Sequence, residues 1–141
     1  MSFSHNFIDH TADIAVEIKA DTIEELFLAS AEAFKEAVVE NDFRSESENY
    51  KLVLDSHSLE TLLVNFLNEL NFRLIIERKI FNNISEIKVH QVGVNWYFEC
   101  VLKESGVIEE KIKTEIKSVT YHQMEIKKEN GKYSTRIVFD I

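Results

Sequence analysis

The sequence has no proline, three glycines and one cysteine among its 141 residues. Because proline and glycine are the residues that most often interrupt helices and strands, regular structure should dominate the chain. Three glycines are too few for a loop that grips a nucleotide phosphate, and no Walker or Gly-x-Ser-x-Gly motif is present. A single Cys100 excludes an intramolecular disulfide, and its apolar neighbours favour a buried thiol over a nucleophile.

Long apolar runs are also absent. No stretch approaches the roughly 18 apolar residues that a membrane-spanning helix needs. The first five residues lack the basic and apolar segments of an export signal. We therefore expect a cytoplasmic protein that makes no membrane contact.

Basic residues are scarce in the first third of the chain. Residues 1–50 contain 12 acidic and 3 basic side chains, which accounts for the whole net charge of −9. Nucleic-acid affinity depends largely on Lys and Arg, so we expect no direct RNA binding along a phosphate backbone. A basic protein is the more natural macromolecular partner. The alternative interpretation is that the charge only keeps the domain soluble.

The residue pattern predicts one α+β domain over residues 1–141, with a mostly antiparallel sheet and two amphipathic helices on one of its faces. Ten phenylalanines and a hydrophobic fraction of 45% are ample for one core. The first helix should start at a capping box, Thr22 with Glu25, and end near Val39. The second should start within residues 55–58, and the spacing of its leucines and Phe66 continues it to an end between Leu74 and Lys79. About six strands are expected: 14–19, 50–54, 84–92 and 95–103 around Gly93, the β-rich stretch 112–128, and 133–141 after the Asn130-Gly131 turn.

Acidic residues are concentrated at both ends of the chain. Asp13 closes the segment Asp9-His10-Thr11-Ala12-Asp13, and Asp140 precedes Ile141, whose α-carboxylate adds a further charge. Three such oxygen groups brought together would need a cation, and oxygen ligands favour calcium or magnesium over zinc. A second arrangement is a mixed nitrogen and oxygen site, in which His10, His122 and Asp9 join Asp13 and Asp140. The alternative is that Asp9 and Asp13 only bind backbone amides of their own loop.

Four segments resemble the archease family in order and over essentially the whole chain. They are residues 9–13, residues 62–70 (Leu-Leu-Val-Asn-Phe-Leu-Asn-Glu-Leu), residues 116–122 (Ile-Lys-Ser-Val-Thr-Tyr-His) and residues 138–141 (Val-Phe-Asp-Ile). The resemblance implies a compact α+β domain that is not itself an enzyme. It also implies that Asp13, Asp140 and Ile141 hold a divalent cation, with calcium expected first and magnesium or manganese as alternatives.

The resemblance further implies a partner and an activity. Archeases assist the GTP-dependent tRNA-splicing RNA ligase of the RtcB type, promote guanylylation of its active-site histidine and allow multiple turnovers. RNA would then be reached only through the ligase. Two alternatives stay open: a chaperone-like modulator of an RNA methyltransferase, and a stand-alone metal-dependent hydrolase that uses Asp13, Asp140 and His122. The sequence does not predict an oligomeric state.

Overall fold

A computed structural model describes residues 2–8, 13–40, 46–121 and 124–141 of the chain. Its helices are α1 (Ile23–Val38) and α2 (Leu59–Ile75), with a short 3₁₀ helix at Glu109–Lys111. The strands are β1 (Phe3–Ile8), β2 (Asp13–Ala20), β3 (Glu48–Ser56), β4 (Lys79–Val92), β5 (Asn95–Gly106), β6 (Ser118–Thr120), β7 (Lys127–Glu129) and β8 (Lys132–Asp140). Every pairing between them is antiparallel, which confirms the predicted α+β class.

The strands form two sheets, a division that the sequence pattern did not predict. One sheet has the order β1-β2-β8-β6, with the short β7 also paired to β8. The other has the order β3-β5-β4. Helix α1 contacts β1, β2 and β8 of the first sheet and β4 of the second, while α2 contacts β6 and all three strands of the second. The helices therefore form a layer shared by the two sheets.

Both helices begin at the residues that the sequence predicts. The Thr22 hydroxyl accepts a hydrogen bond from the Glu25 backbone N–H at 3.1 Å and donates to the Glu25 carboxylate at 3.0 Å. Ser58 plays the same part for α2, accepting from the Thr61 backbone N–H at 3.1 Å. These side chains satisfy amides that the first turn of a helix leaves without a partner.

Phenylalanines join the layers in the core. The rings of Phe27 on α1, Phe66 on α2 and Phe98 on β5 lie with their centroids 4.6 to 5.8 Å apart. Phe34 on α1 contacts Phe139 on β8 at 6.2 Å between centroids, so α1 is tied to the first sheet as well. These five rings are fully buried or nearly so. Aromatic pairs at such separations add to the stabilisation that comes from their buried area.

Several strand predictions need correction. The stretch 112–128 is not β-rich: among its described residues only β6 and β7 are strands, and much of the rest is held by contacts to α1 and α2 rather than by a ladder. Strand β1 was missed, because its polar and apolar residues do not alternate cleanly. The eight strands found in the described ranges exceed the six expected. The hairpins at Gly93 and at Asn130-Gly131 are confirmed, with positive φ at all three of these residues.

A buried ion pair joins α2 to β5 of the second sheet. The Arg73 guanidinium donates to both carboxylate oxygens of Glu104, at 2.6 and 2.7 Å, and stacks 3.5 Å from the ring centre of Tyr50. Glu104 is 2% exposed and Arg73 is 13% exposed. The hydrogen bonds to Glu104 raise the pKa of the Arg73 guanidinium, so this arginine keeps its charge inside the fold.

Neither helix in the described part of the chain combines the length and the apolar character needed to cross a membrane.

Candidate metal centre

The two acidic ends of the chain meet in the first sheet. Strands β2 and β8 pair over their full lengths, and the register places Asp13 directly opposite Asp140. Residues opposite each other in an antiparallel pair project to the same face, with Cβ atoms about 4.5 to 5.5 Å apart. Both aspartates are half-buried, and the Oδ1 atom of Asp13 is buried. The sheet therefore holds two carboxylates side by side at its end.

This pairing is unusual when it is compared with the rest of the same face. Four residues further along β2, and on the same face of the sheet, Glu17 lies opposite Arg136. Opposite charges in such a position stabilise a sheet. Asp13 and Asp140 carry the same charge, which destabilises a sheet when the residues are directly opposite. The register of β2 and β8 is fixed by their buried residues, such as Phe139 and Ile137, which must face the core. The two aspartates therefore cannot separate without turning apolar residues toward water.

A third strand extends the row of oxygen atoms. Ser118 on β6 lies opposite Asp140 on the other side of β8, so its side chain projects from the same face. The backbone N–H of Lys117 donates to the Asp140 carbonyl oxygen at 2.7 Å. Asp13, Asp140 and Ser118 thus form a line across β2, β8 and β6.

An open groove of about 340 Å³ lies beside Asp13. Its other lining residues come from the end of β1, from α1 and from the segment after the 3₁₀ helix: Phe7, Ile8, Ile14, Glu36, Ala37 and Lys113. That last segment is fastened to the end of α1, since Lys113 N–H donates to the Val38 carbonyl at 2.7 Å. The groove gives solvent access to Asp13.

The residues present suit a hard cation in part. Two carboxylates on neighbouring strands are the oxygen donors that calcium and magnesium prefer, and a cation would relieve their repulsion. Within the described ranges, however, no group of three or more His, Cys, Asp or Glu side chains is placed to hold a metal. Ile141 follows Asp140 directly and is 39% exposed. The other predicted candidates, Asp9, His10 and His122, lie outside the described residues.

Comparison with known proteins identifies the family. Residues 5–141 match the model of the Archease protein family (MTH1598/TM1083). The chain belongs to the archease family. Among archeases, the protein from Methanopyrus kandleri is 29% identical over 95% of this chain and 96% of its own length. The archease of Pyrococcus abyssi is 32% identical, over 94% of this chain and 95% of its own.

Two solved structures share this fold. The solution structure of Methanobacterium thermoautotrophicum protein 1598 superposes with a TM-score of 0.75 at 26% identity, covering 97% of this chain and 98% of its own. A crystal structure from Thermotoga maritima, described as an archease and possible chaperone, gives a TM-score of 0.60 at 23% identity over 95% of this chain and 94% of its own. The second likeness shows the fold alone.

Helix α2, which carries the archease motif at residues 62–70, makes polar contacts through two asparagines that the sequence analysis missed. The Asn71 amide donates to the Ile116 carbonyl at 2.8 Å, and the Asn68 amide bonds the backbone of Val119. A signal was present: Asn71 lies between Leu67 and Leu74 in the apolar stripe of the helix, and a buried amide there needs a partner. With these bonds, segments 62–70, 116–121 and 138–141 and Asp13 all meet at one end of the first sheet.

Cys100 is a buried residue of this archease fold, as the sequence predicts. It is 1% exposed on the core face of β5, and burial raises the pKa of its thiol to about 12. The thiolate is the reactive form, so the native thiol should be inert at neutral pH.

We therefore expect iodoacetamide to leave Cys100 unmodified in the native protein at pH 8 and to modify it fully in denaturant, as read by mass spectrometry. Because the pKa is raised, native reactivity should stay low until the pH approaches about 12. Rapid labelling at pH 8 under native conditions would contradict the burial of this thiol.

Proposed function

We propose that this chain is a non-catalytic activator of a GTP-dependent RNA ligase of the RtcB type, and that it promotes guanylylation of that ligase. The observation that carries the proposal is the acidic pair Asp13–Asp140, placed where segments of the archease motifs meet. In this proposal Asp13, Asp140 and the carboxylate of Ile141 hold a divalent cation, calcium before magnesium or manganese. When bound, such a cation would neutralise negative charge on phosphate oxygens.

The charges beside the site support a basic protein as the partner. A second groove, of about 620 Å³, adjoins the first and shares Glu36 and Lys113 with it. Glu32, Glu36 and Glu40 recur along one face of α1 and its end, and all three line this groove with His5 and Lys35. His5 Nε2 lies 2.7 Å from a Glu36 carboxylate oxygen, and the three glutamates outnumber Lys35 and Lys113, the two lysines that line the same groove. A ligase surface rich in Lys and Arg would be drawn to this face of the molecule.

The remaining chemistry of the chain fits an accessory role better than a hydrolase. Gly93 and Gly131 form hairpin turns, and Gly106 ends β5. None of these three glycines therefore builds a loop for phosphate. The only thiol is buried with a raised pKa. Among the described residues catalysis would rest on the carboxylates, without an activated nucleophile, and His122 of the hydrolase alternative lies outside them.

The test is a guanylylation assay. Purified ligase with labelled GTP should give more covalent ligase–GMP, and more ligation turnovers, when this protein is added. Asp13→Asn should reduce the stimulation about tenfold, because it removes one charge from the proposed cation site while keeping the side-chain shape. The protein alone should neither join RNA ends nor hydrolyse GTP.

A matched control is Asp55→Asn, because Asp55 is an exposed strand aspartate on the other sheet. This variant should stimulate the ligase as well as the wild type does. No stimulation by the wild type would refute the activator proposal. Metal-dependent hydrolysis by the protein alone, lost in Asp140→Ala, would favour the hydrolase. Stabilisation of an RNA methyltransferase without any effect on the ligase would favour the chaperone-like alternative.

A further inference from the structure

Strand β6 has a side chain where a neighbouring strand would normally be. On one edge β6 pairs with β8, and on the other it faces α2. There the Asn68 side chain accepts a hydrogen bond from the Val119 backbone N–H at 2.8 Å and donates to the Val119 carbonyl at 3.3 Å. A backbone residue offers one donor and one acceptor, so a single amide satisfies both groups of Val119.

A second amide on the same helix holds the chain just before β6. Asn71 lies three residues after Asn68, so the two side chains share a face of α2. Its amide donates to the Ile116 carbonyl at 2.8 Å. Lys117 and Ser118 are therefore held between two points of attachment to α2.

The segment between these attachments contacts Asp140, one member of the acidic pair. Lys117 N–H donates to the Asp140 carbonyl at 2.7 Å, and Ser118 lies opposite Asp140. Asp140 in turn lies opposite Asp13. A short strand of three residues has few ladder bonds with which to resist a shift in register. The hydrogen bonds from Asn68 therefore help to fix the positions of Ser118 and Asp140.

We infer that Asn68 is a positioning residue for the cation site: its amide replaces a missing strand, holds β6 in register and so fixes Asp140 beside Asp13. The inference rests on the proposed function, since it concerns the same site. Side chains that orient metal ligands without touching the metal typically change affinity about 10- to 100-fold when they are removed.

The test is titration calorimetry of the full chain with calcium alone and with magnesium alone. Asn68→Leu keeps the size of the side chain and removes both hydrogen bonds, and it should weaken calcium binding about 10- to 100-fold in a protein that circular dichroism shows to be folded. The amide hydrogen of Val119 should exchange faster in the same variant. Asn65→Leu is the matched control, because Asn65 is exposed on the same helix. It should bind calcium as the wild type does.

The outcomes separate positioning from simple support of the fold. If Asn68→Leu lowers the unfolding midpoint but binds calcium with wild-type affinity, the inference is wrong and the proposed cation site stands. If the wild type binds neither ion, the cation site itself is refuted together with the inference. Should Asn68→Leu fail to fold, Asn68→Ser, whose shorter side chain no longer reaches both groups of Val119, gives the same comparison at lower temperature. Wild-type calcium affinity in Asn68→Ser would equally refute the positioning role.

Discussion

Replacing Arg73 by methionine should lower the free energy of unfolding by about 3 to 5 kcal/mol. The change removes both hydrogen bonds to Glu104 and leaves that carboxylate, 2% exposed, without its counter-charge. It also removes the stacking of the guanidinium on Tyr50, whereas methionine preserves most of the apolar packing. Urea denaturation at pH 7 would measure the effect.

Two further variants test whether burial of the ion pair causes this loss of stability. Lys51→Met breaks an ion pair with Glu99 on the exposed face of the same sheet, where Lys51 is 68% exposed, and should cost less than about 1 kcal/mol. The double variant Arg73→Met/Glu104→Leu also removes the Glu104 carboxylate that the single variant leaves without a counter-charge, and it should recover much of the stability. A single Arg73→Met variant as stable as Lys51→Met would show that Glu104 finds another partner, contrary to this account.

Calcium should stabilise the wild-type protein and fail to stabilise Asp140→Asn. An ion that binds only the folded state adds about 2.7 kcal/mol to the free energy of unfolding when its concentration is 100 times its dissociation constant. Asp140→Asn removes one of the two opposed carboxylates, so most of this gain should be lost at the same calcium concentration. Thermal denaturation with and without calcium would measure both effects.

Without any divalent ion, Asp140→Asn should raise the free energy of unfolding rather than lower it. Asp13 and Asp140 repel each other across the strand pair, and neutralising one of them should stabilise the ion-free protein by about 0.2 to 1 kcal/mol. Asp55→Asn, on the other sheet, has no such neighbour and serves as the control. If Asp140→Asn destabilises the ion-free protein and leaves the calcium effect intact, the two aspartates serve the fold rather than a cation.

The helices were predictable because their signals are local. The Thr22 and Ser58 caps lie within three residues of the amides that they bind, and the apolar positions recur at helical spacing. The turns at Gly93 and Asn130-Gly131 were predictable for the same reason, since each depends on residues that accept a positive φ. The resemblance to archeases is likewise confirmed by the family match over residues 5–141.

The stretch 112–128 shows why strand prediction failed there. Its β-branched and apolar residues have the composition of a strand, but of the residues that the structure describes there, only those of β6 and β7 pair with β8. Elsewhere the backbone bonds side chains: Ile116 O accepts from Asn71, and Ile126 N–H donates to Glu60 at 3.0 Å. Strand propensity describes fitness for a half-buried pleated surface, and it does not show whether such a surface is available.

By itself the sequence determined the α+β class, the two helices, the tight turns, the buried thiol and the acidic character of both chain ends. Those features depend on contacts within a few residues or on composition. Only the tertiary structure decided that the strands divide into two sheets and that Asp13 lies opposite Asp140, 127 positions later in the chain. The same holds for the bonds from Asn68 to Val119, which cross 51 positions. Such contacts are fixed by packing: β2 and β8 must turn Val16, Ile137 and Phe139 toward the helices, and that requirement sets the register of the acidic pair.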